Sequence, residues 1–169
     1  MKSHREKHQW DTSLQIRLAE TADLAGILTL LNETALGLQR KGNFQWEYPW
    51  PEDELLEDIQ LGRIYVVSFK GEDVGSFGLK GKTHMGPWAF EPGSQYLYQL
   101  ALHPRFQGLG FGGKILGQLR KRCPNLYLDC WSGNETLKSF YGLNGFECLG
   151  DLPEEDYFIS VFRGRNLPS

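Results

Sequence analysis

Four glycines lie within six residues near the middle of the chain, at Gly108, Gly110, Gly112 and Gly113. An apolar run that stops at Pro104 precedes them, and a helical pattern follows them directly. Glycine has no Cβ atom, so its backbone can approach a ligand closely, and the unpaired N–H groups at the start of a helix favour a phosphate. These residues therefore predict a binding loop for a phosphorylated cofactor.

Two alternative roles for the glycines remain open. Gly108, Gly110 and Gly113 also fit the dinucleotide-binding fingerprint, with Asp129 near the position of its ribose-binding acid. In that motif the first glycine follows the strand almost at once, whereas residues 103–107 intervene here, and the 40 residues after Asp129 are too few for a doubly wound fold. The second alternative is a tight turn with close helix packing, although four glycines would destabilise a turn that had no further use.

The elements that must position this loop follow from the hydrophobic periodicity of the chain. Alternating or β-rich segments predict strands, and apolar residues three and four apart predict helices. The first half of the chain is predicted to contain a strand at 14–19, a helix from Thr21 to Gly37 or Gly42, a short helix from Pro51, a hairpin of strands at 63–69 and 74–79, and an irregular loop at 81–94. The second half is predicted to contain a strand from Gln95 towards Pro104, a helix from Gly110 to Arg122, a strand at 126–131, a helix that reaches Tyr141, and strands at 146–149 and 157–162. A capping box of Ser132 and Glu135 is expected to begin the helix that reaches Tyr141.

This order of elements predicts one α/β (α+β) domain at residues 13–169, preceded by a flexible N-terminus at 1–12. The strand, helix and strand of residues 95–131 should form a parallel, right-handed crossover. No repeat, low-complexity tract or linker divides the chain. We expect one mixed, mostly antiparallel twisted sheet of about seven strands, flanked by helices.

Composition limits the partners. A net charge of −3 and a pI of about 5.8 argue against nucleic acid, and no apolar run approaches the ~20 residues of a membrane span. The three cysteines, Cys123, Cys130 and Cys148, show no metal-like spacing, and Met1–His8 lacks the apolar stretch of a secretory signal. We therefore expect a cytoplasmic protein with reduced thiols that binds no metal, no membrane and no nucleic acid.

Three linked segments share the spacing of a known family. Gln107, Gly110 and Gly112 match an acyl-CoA loop that reads Gln or Arg, two residues, Gly, one residue, Gly or Ala. Residues 100–104 look like the strand that holds the pantetheine arm, and residues 134–146 resemble a second motif of the same family. The chain therefore resembles the GNAT family of N-acetyltransferases over residues 95–150. The resemblance implies the GNAT fold, acetyl-CoA as acyl-donor cosubstrate, and an amine as acceptor.

The resemblance also implies which residues bind the cofactor. In that family, backbone N–H groups of the glycine loop bind the pyrophosphate, and a free N–H of a bulged strand, here near Leu102, stabilises the oxyanion. Asn134 matches a residue that hydrogen-bonds the pantetheine arm or orders the loop, and position N2 of a capped helix would explain it almost as well. The residues assigned in this way are Leu100, Ala101, Leu102, Gln107, Gly108, Leu109, Gly110, Phe111, Gly112, Gly113 and Asn134.

Tyr141 and Asp129 are the predicted catalytic residues. Tyr141 matches the family tyrosine that protonates the leaving thiolate, although a helix face shared with Leu137 and Phe140 would make it an ordinary core aromatic. Asp129 lies five residues before Asn134, where some members place a catalytic glutamate. It is either the general base or a solvated or paired strand acid.

Further groups compete with Asp129 for the role of base. Many relatives carry a glutamate on the strand that holds the acyl group, but residues 96–100 contain no acid. His84, Glu91, His103 and a chain of waters therefore remain alternatives, although His103 before a proline is more simply a strand-ending residue.

Trp46 and Trp88 are the predicted acceptor-binding residues. Trp46 belongs to an aromatic loop at 42–51, and the loop at 81–94 should bring Trp88 towards the next strand. Such aromatics either shape a pocket or cover the sheet. Acids between Glu47 and Asp58 either attract a cationic amine or complement the dipole of the helix that they begin.

The sequence therefore predicts a cytoplasmic acetyl-CoA-dependent N-acetyltransferase that acts on a primary amine of a small molecule or peptide. A dinucleotide-binding oxidoreductase and a non-catalytic acyl-CoA-binding sensor are the alternatives. A homodimer is left open.

Overall fold

The computed structural model describes residues 14–165, so the predicted flexible segment 1–12 lies outside the described part. The strands are β1 (Gln15–Leu18), β2 (Ile64–Phe69), β3 (Glu72–Gly81), β4 (His84–Met85), β5 (Trp88–Ala89), β6 (Gln95–Leu102), β7 (Leu126–Trp131), β8 (Phe146–Glu154) and β9 (Tyr157–Gly164). The helices are α1 (Leu24–Arg40), α2 (Glu52–Gln60), α3 (Phe111–Arg122) and α4 (Glu135–Leu143), with 3-10 turns at Thr21–Asp23 and Pro104–Phe106.

Seven strands form one sheet in the order β1-β2-β3-β6-β7-β9-β8. Among these described strands, the β6–β7 pair alone is parallel, and the other five neighbouring pairs run antiparallel. The predicted mixed, mostly antiparallel sheet is thus confirmed, and the parallel pair is the predicted crossover through α3. The dinucleotide alternative requires a doubly wound parallel sheet, and this topology excludes it.

Helices cover both faces of the sheet. Val66 and Val67 are neighbours in β2, and because side chains alternate along a strand they enter different buried clusters. On the Val66 face, α1 and α2 pack with Leu55 in the cluster. On the Val67 face, α3 and α4 pack with Ile115 and Leu128. The sheet is therefore the middle layer, and its two faces are buried by different helix pairs.

Residues 81–94 are more ordered than the predicted irregular loop. β4 and β5 form a short hairpin in which Met85 lies opposite Trp88. Met85 and Phe90 are buried against Tyr127 of β7, and the rings of Phe90 and Tyr127 stack with centroids 3.6 Å apart. Strands of two residues are too short to give a periodic pattern, so the sequence contains only the turn signals.

Two helix starts also differ from the predicted ones. A 3-10 turn occupies Thr21–Asp23, where the first helix was expected to begin, and α1 starts only at Leu24. Glu20 caps this turn, and its N–H donates to the Asp23 carboxylate at 2.8 Å. The helix α4 begins at Glu135 with Asn134 as its N-cap, so the predicted capping box that starts at Ser132 does not form. An asparagine side chain caps a helix as well as a serine does, and here the asparagine takes that position.

The strands β6 and β7 separate soon after they begin. Their register contains two pairs, which join Gln95–Tyr96 to Leu126–Tyr127. On its other side β6 has a β-bulge, because Gln99 and Leu100 together face one residue of β3, and Gln99 has a φ of 57°. The separation leaves a gap in the sheet, and the bulge lies on the strand that borders it.

Candidate active site

A cleft of about 880 Å³ opens where β6 and β7 separate. Its walls come from the glycine loop, the second half of β6, β7, the start of α4 and the loop after α1. All the predicted site residues except Leu109 and Trp88 line it. Leu109 is 62% exposed at the tip of the glycine loop. The fold therefore brings the three motifs of the sequence together at one place.

The glycine loop presents free amides to this cleft. Gly108 and Gly110 have φ values of 75° and 84°, and Gly110 is the N-cap of α3. Within residues 14–165, no protein acceptor takes a hydrogen bond from the six amides between Gly108 and Gly113, and the next amide, that of Lys114, donates to the Gly110 carbonyl at 3.2 Å. Unpaired amides at the positive end of a helix dipole form an anion site.

Two of the glycines also serve helix packing. Gly112 and Gly113 lie in the first turn of α3, which faces α4. A Cβ atom on Gly113 would come 3.1 Å from the Asn144 side chain. Close helix packing, one of the alternatives that the sequence left open, therefore applies to this pair, while the positive φ angles belong to Gly108 and Gly110.

The end of β6 turns backbone groups towards the gap. The His103 N–H donates to the Val74 carbonyl of β3 at 2.8 Å. Because backbone groups alternate in direction along a strand, the N–H and carbonyl of Leu102 point away from β3. The Leu102 carbonyl accepts a hydrogen bond from Gln107 Nε2 at 3.1 Å, in agreement with this direction. The family resemblance predicts a free N–H near Leu102 on a bulged strand, and β6 has its bulge at Gln99 and Leu100, two to three residues earlier.

Asn134 combines a structural role with a place in the cleft. Its Oδ1 accepts the Leu137 N–H at 3.0 Å and so caps α4. It is the N-cap, not position N2 as one alternative had it. The Nδ2 group is not needed for this cap, and Asn134 lines the cleft beside the glycine loop.

Tyr141 is both a core aromatic and a cleft residue. It is 6% exposed, and its ring lies 6.0 Å from that of Phe146 and 5.5 Å from that of Phe162. Within the described residues its hydroxyl has no protein partner and is not sealed from solvent, so it borders the cleft. Burial raises the pKa of Tyr141, with smaller contributions from Cys130 and Asp129, so the phenol stays protonated at neutral pH.

Asp129 faces the same cleft and has protein partners. Its Oδ2 accepts a hydrogen bond of 2.6 Å from the Tyr96 hydroxyl, and its Oδ1 accepts a longer one of 3.4 Å from Gln45 Nε2. Burial raises the pKa of Asp129, and the hydrogen bonds from Tyr96 and Gln45 lower it in part. Asp129 is therefore a paired acid that also lines the cleft, and its role as general base stays a prediction.

The remaining candidate bases lie outside this cleft. His84 and Glu91 are exposed on the segment around the β4–β5 hairpin. His103 lines a separate cavity of about 600 Å³. Among the described residues that line the cleft, Asp129 is the only carboxylic acid.

The two predicted acceptor residues have different surroundings. Trp46 lines the cleft, its ring meets that of Trp50 edge-on at 5.1 Å, and its carbonyl accepts a hydrogen bond from Gln39 Nε2 at 3.1 Å. Trp88 packs in the hairpin cluster, and its ring lies 2.8 Å from the position that a Cβ atom on Gly150 would take. The predicted role of Trp88 beside the acceptor is corrected accordingly, because the hairpin folds this ring onto β8.

Tyr96 and Gln45 are site residues that were not predicted from the sequence. The ring of Tyr96 stacks on that of Tyr98 at 5.8 Å, and the Lys82 ammonium lies 4.5 Å from its centroid. Burial, with the charge of Asp129, raises the pKa of Tyr96 well above its ordinary value. Alternation along β6 puts both tyrosines on one face, and this signal could have found Tyr96. No pattern joins Gln45 to an acid 84 positions away.

Comparison with known proteins decides the family. A model of the acetyltransferase (GNAT) family matches residues 29–146, more than half of the chain. The chain belongs to the GNAT family. The uncharacterized N-acetyltransferase YesJ of Bacillus subtilis is 28% identical to this GNAT protein over 143 residues, which are 76% of this chain and 78% of that one. An uncharacterized protein of Mycobacterium leprae is 27% identical over 114 residues, and this match covers 65% of the chain but 30% of that relative's length.

Solved structures of GNAT proteins share the fold. An acetyltransferase of Streptococcus agalactiae superimposes with a TM-score of 0.76 at 19% identity, over 94% of this chain and 99% of that one. The spermidine N-acetyltransferase of Vibrio cholerae, solved with CoA and spermine, gives a TM-score of 0.67 at 21% identity, over 89% and 94% of the two chains. At these identities the likeness concerns the fold, and the family supports acyltransferase chemistry.

Two further kinds of feature are absent from residues 14–165. No helix there is both long and apolar enough to cross a membrane. No three His, Cys, Asp or Glu side chains in that part converge closely enough to hold a metal ion.

Proposed function

We propose that this GNAT protein transfers the acetyl group of acetyl-CoA to a primary amine of a small molecule or peptide, by direct attack in a ternary complex. One observation carries the proposal. Within residues 14–165, the amides from Gly108 to Gly113 donate to no protein acceptor, and all of these residues except Leu109 line the same cleft as Asp129 and Tyr141. Amides of this kind bind a pyrophosphate, and the two side chains can exchange protons.

Different parts of the cleft would bind different parts of CoA. The loop from Gln107 to Gly113, which includes Leu109 and Phe111, would hold the pyrophosphate at the positive end of α3. Backbone groups of Leu100–Leu102 that face the cleft would bind the pantetheine arm in the manner of a neighbouring strand, because β7 no longer pairs with β6 at these residues. The Asn134 Nδ2 group would donate to the same arm, since its Oδ1 is engaged with α4.

The proposed reaction uses Asp129 and Tyr141 as a proton acceptor and a proton donor. Asp129 takes one proton from the bound ammonium group, directly or through a water, and so frees the nitrogen lone pair. The nitrogen bonds to the thioester carbon as the C–S bond breaks, and the Leu102 N–H stabilises the charge that develops on oxygen. Tyr141 gives a proton to sulfur, and the second nitrogen proton replaces it. Each turnover of an ammonium acceptor thus releases one proton, from Asp129 to solvent.

A small cationic amine is the acceptor that the cleft fits best. Trp46 and Asp129 both line it, and a cation is attracted by the face of an indole ring as well as by a carboxylate. The similar Vibrio cholerae protein is a spermidine N-acetyltransferase. The acids of α2 need no part in this, because Glu52, Asp53 and Glu54 occupy the first turn of that helix, where the dipole favours them.

Two measurements test the proposed function. A ligand at about 100 times its Kd adds about 2.7 kcal/mol to the free energy of unfolding, so CoA should raise the unfolding midpoint and a nicotinamide dinucleotide should not. An assay of free thiol across polyamines, monoamines and peptides then reports transfer. Stabilisation by CoA without thiol release from any amine would favour the sensor alternative, and no stabilisation by CoA would overturn the proposal.

The free cysteines Cys123, Cys130 and Cys148 support a cytoplasmic location as part of the same proposal.

A further inference from the structure

Tyr96 lies at the point where β6 and β7 part. Its backbone belongs to the last residue pair between these strands, opposite Tyr127. Its side chain then reaches across the gap, and the hydroxyl donates to Asp129 Oδ2 at 2.6 Å. Asp129 lies two residues beyond Tyr127 on β7, where the strands no longer pair. This hydrogen bond therefore connects β6 and β7 inside the cleft, where their backbones do not.

Gln45 reaches Asp129 from a different element. It lies in the loop after α1, and its Nε2 donates to Asp129 Oδ1 at 3.4 Å. The loop is itself held in place, because the Gln45 N–H donates to Asn43 Oδ1 at 3.0 Å and the Trp46 carbonyl accepts from Gln39 Nε2 at 3.1 Å. Each oxygen of the Asp129 carboxylate thus accepts from one donor, and an oxygen with one donor still has a lone pair for a proton.

Tyr98 provides a natural comparison for Tyr96. The two rings stack with centroids 5.8 Å apart and planes 7° apart. The Tyr98 hydroxyl donates to Asp58 of α2 at 3.0 Å, whereas the Tyr96 hydroxyl donates to Asp129. The two hydroxyl groups lie on the same face of β6 but donate to different acids. Of these two acids, Asp129 lines the cleft and Asp58 does not.

We propose that Tyr96 and Gln45 are positioning residues, which hold the Asp129 carboxylate in the gap between β6 and β7 where it accepts the proton of the acceptor amine. This inference rests on the proposed function. The Tyr96 hydrogen bond of 2.6 Å has the short length of a bond to an ionised carboxylate, and the longer contact of 3.4 Å from Gln45 adds a second restraint from a separate element. Together the two donors limit the rotation of the carboxylate. A base that is fixed in this way needs no reorganisation when the acceptor binds.

The groups around Asp129 set the direction of the expected effects. Burial is the main influence on the pKa of Asp129 and raises it, and the charge of Glu154 acts in the same direction. The hydrogen bonds from Tyr96 and Gln45 and the charge of Lys82 lower it. Among residues 14–165, Tyr141, Cys130 and Tyr157 also interact electrostatically with this acid. Loss of the Tyr96 hydroxyl removes a contribution that lowers the pKa of Asp129, so this pKa should rise.

The test compares Tyr96→Phe with the matched variant Tyr98→Phe. One readout is the pH profile of kcat/KM for the acceptor amine, and the other is an NMR titration of the Asp129 carboxyl carbon in the protein without acceptor, with Asp129→Asn to assign the signal. We expect Tyr96→Phe to lower kcat/KM about tenfold or more at neutral pH and to move both midpoints up by about one pH unit, with an unchanged KM for acetyl-CoA. Gln45→Ala should move both midpoints in the same direction by less, and Tyr98→Phe should move neither.

The outcomes separate this inference from the proposed function. An unmoved Asp129 midpoint in Tyr96→Phe, or an equal shift in Tyr98→Phe, overturns the positioning role even if the enzyme is active. Should thermal unfolding show that Tyr96→Phe does not fold, Gln45→Ala in the loop after α1 makes the same comparison. A parent protein that binds CoA but releases no thiol with any amine overturns the proposed function. The NMR titration distinguishes this result from a failure of the positioning role, because the Asp129 midpoint of Tyr96→Phe still shifts relative to that of the parent.

Discussion

The ring of Phe140 lies directly over Gly112, so that a Cβ atom at position 112 would come within 3.0 Å of Phe140 Cζ. Gly110, two residues earlier, has nothing within 4 Å of such an atom, but its φ is 84°. The glycine loop therefore contains residues of two kinds. Gly112 lets α3 approach α4, while Gly110 lets the chain turn so that its amides face the cleft.

Gly110→Ala should weaken CoA binding at least about tenfold, because a side chain in the left-handed region costs about 1–2 kcal/mol and the backbone would move to avoid it. The matched control is Gly117→Ala, in an exposed position of α3 with nothing within 4 Å. The control should raise the free energy of unfolding by about 0.5–1 kcal/mol and leave CoA affinity unchanged. Calorimetric titration with CoA and denaturant unfolding measure both quantities. Parent-like CoA affinity in Gly110→Ala would contradict the role of the loop.

Tyr141→Phe should lower kcat about 10- to 100-fold without changing the Kd of acetyl-CoA, because it removes a proton donor and keeps the ring. The hydroxyl has no protein partner within the described residues, so the unfolding midpoint should stay close to that of the parent. Tyr141→Ala should instead lose about 3–5 kcal/mol of stability, since the ring packs between Phe146 and Phe162. Steady-state kinetics and thermal unfolding distinguish the two effects. A parent-like kcat in Tyr141→Phe would leave the tyrosine a purely structural role.

Asp129→Asn should separate catalysis from stability. Burial raises the pKa of Asp129 above its ordinary value of 3.8, so the fold favours the protonated acid, and stability is lost as the pH rises through the folded-state pKa. The uncharged asparagine avoids this loss. It should therefore match or exceed the unfolding midpoint of the parent at neutral pH, and the difference should shrink as the pH falls towards 3.8. The value of kcat/KM should fall about 100-fold or more. A lower midpoint for the variant at neutral pH would mean that the ionised acid stabilises the fold.

Trp46→Ala should change the KM for the acceptor, whereas Trp88→Ala should change the stability of the protein. Trp46 lines the cleft, so its loss should raise the KM for the acceptor about tenfold and leave the KM for acetyl-CoA unchanged. Trp88 packs against Gly150 and the hairpin cluster, so its loss should lower the unfolding midpoint and leave both KM values unchanged. The pair is measured by bisubstrate kinetics and thermal unfolding. A changed acceptor KM in Trp88→Ala would return this residue to the acceptor site.

Local and short-range features were predictable from the sequence. The order of strands and helices follows from periodicity, and the stop at Pro104 before Gly108 and Gly110 places the loop at the start of α3. The cleft position of Tyr141 followed from a motif, while its burial followed from the spacing of its helix face. Each of these features depends on residues that are near each other in the chain.

Contacts between distant segments were not predictable in the same way. The link between Gln45 and Asp129 depends on how the loop after α1 crosses the sheet, which no local pattern encodes. The bulge at Gln99 depends on the pairing of β6 with β3. The position of Trp88 depends on the β4–β5 hairpin to which it belongs, and the strands of this hairpin are too short to give a periodic pattern in the sequence.

The gap between β6 and β7 has a consequence for motion. The two halves of the sheet, β1-β2-β3-β6 and β7-β9-β8, are joined by the pairing of Gln95–Tyr96 with Leu126–Tyr127. An elongated molecule in the gap supplies backbone partners that neither half has on its own. Amide hydrogen exchange at residues 97–102 and 128–131 should therefore slow when CoA is bound, while the exchange rates of the amides that pair β2 with β3 should not change. The ligand would then act as a missing strand, and the sheet would become one cooperative unit only when it is present.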